Sequence, residues 1–384
     1  MTERAVREIR FRLCLAGLAL ILLGCALLGR VPRQDQPVWQ AEPIPAWEEA
    51  FRHADPRWKG GDGASSVPLG DSRTLWLFGD TWITQPEAEG RKGAVLIRNS
   101  LAVQRIEAGE PGRIDFFWNL EDGKPEDAFP PGEDPGWLWP LSGARIGSSL
   151  ILFFVRCVES GSLLGFDLAG SLVITVSNPD EPPAEWRPER RPVPFFRHGD
   201  QGDSFFGVCC LLCGGSLYVY GVREDWNRGP EGRSLLVARA PPEFADSGDF
   251  RAWRFFDGRQ WVADWTRAAP LFEGAATEMS VSWLPALGRH VAVYTRFGLS
   301  EFILARTSLL PEGPWSEPAV LYRCPDVAWN SRYFSYAGKA HPELARTEDE
   351  LIVTYATNST SEEDHYGDLR IYWPRFVRAT VSLE

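Results

Sequence analysis

Methionine is scarce, 2 in 384 residues, and outside the N-terminal segment no stretch sustains a helical period. Long packed helices are therefore not expected. Basic blocks are missing as well: 40 Lys plus Arg stand against 52 Asp plus Glu, a net charge of −12, which excludes the electrostatic footprint of a nucleic-acid partner. The sequence has no GxSxG elbow, P-loop or dinucleotide fingerprint, and no His/Cys/Asp group at metal-ligand spacing, so no metal and no cofactor is expected. A disulfide framework is also absent. Beyond residue 34 the cysteines are Cys157, Cys209, Cys210, Cys213 and Cys324, an odd number without framework spacing. Cys210-Leu-Leu-Cys213 lies in an apolar run with no companion His, so these thiols read as small buried hydrophobes.

What is plentiful points to strands and turns. The chain has 17 Trp, 22 Phe, 36 Gly and 30 Pro, with 44% of residues hydrophobic and 24% charged, enough for a sizeable all-β core. Only one long apolar run occurs: Leu13–Gly29, 17 residues without a charge, preceded by Arg4, Arg7, Arg10 and Arg12. Residues 1–34 are thus expected to be an N-terminal membrane segment whose arginines stay in the cytoplasm while the rest is exported to the cell envelope. An uncleaved signal anchor is the first reading; Leu22-Leu23-Gly24-Cys25 resembles a lipobox, and lipidation of Cys25 is the second. The chain after residue 34 carries 34 basic and 50 acidic residues, a distinctly acidic exported part. Arg30 to Pro45 contains Pro and Gln without periodicity, and residues 35–46 are expected to be a linker.

From residue 47 to 384 one pattern recurs, a strand, a tight turn and a second strand: Ala64–Leu69 with Leu75–Gly79, Leu141–Ile146 with Leu150–Val155, Phe205–Leu212 with Leu217–Val222, Met279–Leu284 with His290–Arg296, and Ala340–Leu344 with Leu351–Ala356. Another apolar segment follows each pair, and several units then reach a Trp: Trp118, Trp186, Trp253, Trp315. Five units of about 68 residues predict a five-bladed β-propeller. Asp-box turns of the sialidase kind do not occur.

The first unit carries the candidate chemistry. In Trp58-Lys-Gly-Gly-Asp62-Gly and Leu69-Gly-Asp71-Ser-Arg-Thr-Leu-Trp76-Leu-Phe-Gly-Asp80-Thr-Trp82, both Asp62 and Asp80 lie nine residues from Asp71. A turn centred there sets them opposite each other, with Cβ atoms roughly 4.5 to 5.5 Å apart. Opposed like charges destabilise a hairpin, so a close Asp pair needs a reason, and function is one. Two close carboxylates cannot both ionise easily, so one becomes a proton donor while the other stays a nucleophile or base, the division of labour of glycoside hydrolysis. By spacing alone, Asp62 and Asp80 read equally well as turn and strand-end residues bonded to backbone amides.

Gly-Asp62-Gly, Leu-Trp76-Leu-Phe-Gly-Asp80-Thr, Ser280-Val-Ser-Trp-Leu-Pro, Gly313-Pro-Trp-Ser-Glu-Pro and Lys339-Ala-His341-Pro-Glu-Leu resemble a five-bladed propeller family formerly known only as a domain of unknown function. Some members are endo-D-arabinanases acting on arabinogalactan and lipoarabinomannan. The resemblance spans about Trp47 to Leu383, and it implies that Asp62 and Asp80 stand where the catalytic carboxylates lie, with a polysaccharide or oligosaccharide as substrate. More distantly it is similar to the arabinanase and xylosidase propellers.

Supporting candidates are Glu278 as a third central carboxylate, Asp203 opening the third unit, His341 and Lys339 in the fifth as sugar-hydroxyl contacts, and Asn99 beside Arg98 at a strand end. Trp58, Trp82, Trp137 and Trp139 are candidate sugar platforms, although several of the Trp residues must be core. A non-catalytic propeller that binds glycan or another envelope protein is the rival reading. A cleft between the two carboxylates favours catalysis; a carboxylate facing outward or locked in an ion pair favours binding.

Overall fold

Asp71 and Ser72 both take left-handed backbone, φ 51° and 56°, and turn the chain tightly between strands Ser65–Gly70 and Arg73–Phe78. This hairpin opens a sheet completed by Ser100–Glu107 and Glu110–Phe117. In the computed structural model, which describes residues 37–162 and 165–383 without the side chains of Pro230, Asp246 and Leu383, the same plan recurs along the chain. The second sheet runs Trp137–Ile146, Ser149–Glu159, Phe166–Val176, Pro188–Pro192. The third starts with Ser204–Cys213, Ser216–Arg223 and Ser234–Ala240, and the fourth is Met279–Leu284, Arg289–Thr295, Phe302–Ser308, Ala319–Arg323. The fifth is Tyr333–His341, Glu350–Ser359, Arg375–Leu383, closed by Pro37–Pro43. Trp39–Val381 forms one compact unit.

Small polar side chains stitch each first strand to the next. Ser65 Oγ donates to the Leu141 carbonyl (2.8 Å), Ser142 Oγ to the Gly207 carbonyl (2.6 Å), the Val281 N–H to Cys209 Sγ (3.0 Å), and the Ala340 N–H to Ser280 Oγ (2.7 Å). Lys339 Nζ returns to Ser65 Oγ (3.0 Å), so the five first strands close a ring. Between neighbouring sheets lie apolar faces whose largest fully buried members include Trp58, Trp76, Trp253, Phe153, Phe154, Phe205 and Phe206. A short helix, Pro45–Ala54, with Pro in its first turn, lays Phe51 edge-on against Trp76 at 5.2 Å and stacks it on Phe376 at 5.3 Å.

The linker expectation for residues 35–46 needs correction. Pro37–Pro43 is a strand of the fifth sheet and residues from Pro45 are helical. The prolines fall where they cost nothing, at strand ends and the first helical turn, so they do not signal a tether here. Residues 1–34 lie outside the described residues. Among the described residues no helix is long and apolar enough to cross a membrane. Cys157, Cys209, Cys210, Cys213 and Cys324 are all free thiols, three of them buried and two half-buried.

Candidate active site

The hairpin register decides where Asp62 and Asp80 stand. Ser65 pairs with Leu77 and, beyond the irregular corner, Gly61 pairs with Thr81. The Asp62 N–H accordingly donates to the Asp80 carbonyl at 3.2 Å, and the Gly79 N–H to the Asp62 carbonyl at 3.0 Å. Gly63 and Ala64 take positive φ, 78° and 45°, to turn this corner. A Cβ at Gly79 would collide with Asp62 Oδ1, so the glycine makes room for the carboxylate.

The two carboxylates meet different surroundings. Asp62 Oδ2 accepts from the Tyr336 hydroxyl at 2.7 Å and the Tyr372 hydroxyl at 3.1 Å. Burial, then the negative charges of Asp80 and Glu278, push its pKa up to about 8 against the two hydroxyls. Asp80 accepts from Trp139 Nε1 at 2.7 Å on one oxygen and from Arg98 Nη1 at 3.1 Å on the other. Burial raises its pKa too, opposed by the Arg98 cation and the Trp139 N–H. With its pKa pushed up to about 8, Asp62 is the protonated partner near neutral pH, and Asp80 is the one with a cation, Arg98, beside its charge.

Glu278 lines the same cavity, its carboxyl raised by burial against the Lys339 and Arg233 charges. Lys339 is buried, donating to the Gly63 carbonyl (2.6 Å) and to Ser65 Oγ. Burial lowers its pKa while Glu278 and Asp62 oppose that shift. The cavity has a volume of about 570 Å³. Trp139 and Phe166, in edge-to-face contact at 4.8 Å, form one wall. Also in its lining, Asp203 pairs with His198 at 2.8 Å, and Glu224 pairs with Arg233 at 2.6 Å. Asp80, Arg98, Trp137 and Glu159 open instead on an adjoining cavity of about 420 Å³ that shares the Trp139–Phe166 wall. Among the described residues no group of three His, Cys, Asp or Glu side chains is placed to hold a metal ion.

Of the residues singled out in the sequence, the structure brings Asp62, Asp80, Glu278, Asp203 and Trp139 to these cavities, with Trp137 at the second. Five others require correction. Lys339 lines neither cavity; it is buried, and its ammonium is spent on the Gly63 carbonyl and Ser65 Oγ. Trp58 is fully buried and stacks on Phe116 at 4.4 Å, so it has no face for a sugar. Trp82 is 6% exposed and packs against Tyr366 and His365 away from the cavities. Asn99 spends both ends of its amide on the backbone of Phe129 and Leu138. His341 is fully buried between the hydroxyls of Ser66 and Thr354, each 2.6 Å away, and burial with the Lys339 charge holds its pKa well below the usual imidazole range. The sequence reading missed Tyr336, Tyr372, Arg233 and His198. Tyr336 sits at a β-bulge before Ala337 (φ 58°) and Tyr372 in left-handed backbone (φ 68°), irregularities that no alternation pattern announces.

Fold and site together define an all-β protein of β-propeller type, with an acidic, aromatic-walled cavity lined by residues of several of its sheets. It belongs to the family described as a domain of unknown function (DUF5005), which matches residues 46–381. The chain is 23% identical over 346 residues to Notoamide biosynthesis cluster protein J' of Aspergillus versicolor, covering 82% of this chain and 85% of that protein. In fold it is similar to a Bacteroides ovatus protein named "putative hydrolase", with a TM-score of 0.70 and 16% identity over 89% of this chain and 90% of that one. A looser likeness, TM-score 0.45 at 13% identity, covers 88% of this chain and 93% of the GH43_1 enzyme from Xanthomonas citri.

Proposed function

We propose that this chain is a glycoside hydrolase on a five-bladed propeller, cleaving a neutral, furanose-containing cell-wall polysaccharide in the manner of endo-D-arabinanases. Asp62 donates the proton to the leaving oxygen, and ionised Asp80 serves as nucleophile or base. The observation that carries this reading is the neighbouring Asp62–Asp80 pair in unequal surroundings: Asp62 is buried under two tyrosine hydroxyls with its pKa pushed up to about 8, and Asp80 is bonded to Arg98 and Trp139. The walls add to it. Trp139 and Phe166 offer apolar faces to sugar C–H groups, and the carboxylates of Asp203, Glu224 and Glu278 repel an anionic polymer. We propose the same topology as the sequence implies: the segment before residue 35 anchors the protein and the propeller works in the cell envelope.

Two observations favour the rival, a glycan-binding propeller without catalysis: Asp80 lines the adjoining cavity and not the one that Asp62 lines, and there is the Arg98–Asp80 ion pair at 3.1 Å. Its geometry is single-contact and leaves the second oxygen on Trp139, whereas a locked pair would be bidentate. The two readings separate on a polysaccharide panel. The full chain is expected to release reducing ends from D-arabinan and not from xylan or a polyuronate. Release from none of the polymers, with binding to one retained, would leave the binding reading.

A further inference from the structure

Arg91 is fully buried and has no carboxylate partner among the described residues, an expensive placement for a cation. Each of its three nitrogens donates to a backbone carbonyl: Nε to Lys59 (2.8 Å), Nη1 to His365 (3.1 Å) and Nη2 to Ile371 (2.6 Å). One guanidinium thereby ties the strand leading into Asp62 to the segment that follows the last hairpin.

Two routes run from these carbonyls to the same carboxylate oxygen. The first passes from Ile371 to Tyr372, whose left-handed backbone is held by its N–H on the Thr357 carbonyl at 2.8 Å. A Cβ at Gly60 would collide with the Tyr372 carbonyl, so that approach requires glycine, and the Tyr372 hydroxyl ends on Asp62 Oδ2. The second passes from His365, whose Nε2 lies 2.7 Å from Asn358 Oδ1. Asn358 Nδ2 donates to the Tyr336 hydroxyl at 3.2 Å, and Tyr336 donates to Asp62 Oδ2. We propose that Arg91 is a positioning residue for Asp62, a single buried guanidinium that sets both tyrosine hydroxyls on its carboxylate.

The consequence for catalysis rests on the reading of Asp62 as proton donor; the positioning itself does not. Both hydroxyls favour the charged form of Asp62, so loosening them raises its proton affinity. The other groups that act on Asp62 are Asp80 and Glu278, which raise it, and Lys339, which donates to the Gly63 carbonyl and favours the ionised form. Those acting on Arg91 are Arg52, Asp368 and Tyr372, none of them hydrogen-bonded to its guanidinium.

The test is a pH titration of the full chain followed by infrared difference spectroscopy, in which the carbonyl stretch of protonated Asp62 is assigned by its loss in Asp62→Asn. This readout needs no activity, so it stands even where the hydrolase reading fails. Tyr372→Phe and Tyr336→Phe are each expected to move the Asp62 midpoint upward by about one pH unit, the worth of one hydrogen bond to a charge. Arg91→Gln is expected to move it further than either and about as far as the double Phe variant, with Arg91→Lys between Arg91→Gln and the wild type. Arg91→Lys keeps a buried cation and serves where Arg91→Gln does not fold. A folded Arg91 variant that titrates at the wild-type midpoint would overturn the proposal.

Discussion

Asp62→Asn is expected to lower hydrolysis roughly a hundred- to ten-thousand-fold, because an amide has no proton to give the leaving oxygen. In the wild type the same assignment makes the rate fall as pH rises through about 8, where Asp62 loses its proton. The basic limb of the pH–rate profile disappears in the variant. Stability responds to the substitution in the opposite sense to activity. A carboxyl whose folded pKa lies above its unfolded value near 3.8 contributes stability that is fully present below that value and is lost as pH rises through 8. Asp62→Asn is free of this loss. Its unfolding midpoint in urea should exceed that of the wild type at pH 9 by more than at pH 5, an opposition of stability and activity common at sites kept for chemistry. A variant that kept the wild-type rate would remove Asp62 from the mechanism.

Trp58→Ala is expected to cost about 3 to 5 kcal/mol of folding stability, the range for deleting a large aromatic side chain from a packed core. The indole is sealed among Phe116 at 4.4 Å, Phe78 at 4.9 Å and Trp373 at 5.4 Å, and its N–H reaches Ser100 Oγ at 3.3 Å. The denaturation midpoint therefore drops, while the folded fraction keeps its affinity for glycan. The opposite outcome, weakened glycan binding at unchanged stability, would restore Trp58 as a sugar platform. Trp139, whose face lines both cavities, is where that outcome belongs.

The contrast between these two tryptophans shows what could be read in the sequence. Period-two alternation and turn residues located the hairpins, and symmetry about Asp71 placed Asp62 opposite Asp80, because register in a tight hairpin follows from its turn. The fifth hairpin came out displaced. Its first strand is Tyr333–His341 rather than Ala340–Leu344, since the Ala337–Gly338 bulge breaks the alternation and Pro342–Leu344 turns as a 3₁₀ segment. Which Trp faces a cavity was not legible, because every strand buries one face against a neighbouring sheet and the sequence does not say which. Tyr372 was invisible for a different reason: it reaches Asp62 across 310 residues, through closure of the ring. The roles of Asn99 and His341 failed on the same ground, since a polar residue at a strand end is as readily consumed by backbone and hydroxyl partners as offered to a ligand.

The central claim is that the Asp62–Asp80 pair breaks a glycosidic bond with water. The most direct measurement is digestion of D-arabinan in heavy-oxygen water, with mass spectrometry of the products, by the wild type and by Asp80→Asn. The account predicts oligosaccharides carrying one heavy oxygen at the new reducing end from the wild type and none above background from Asp80→Asn. Labelled products appearing equally with both proteins, or no products from the wild type while it binds the polymer, would contradict it.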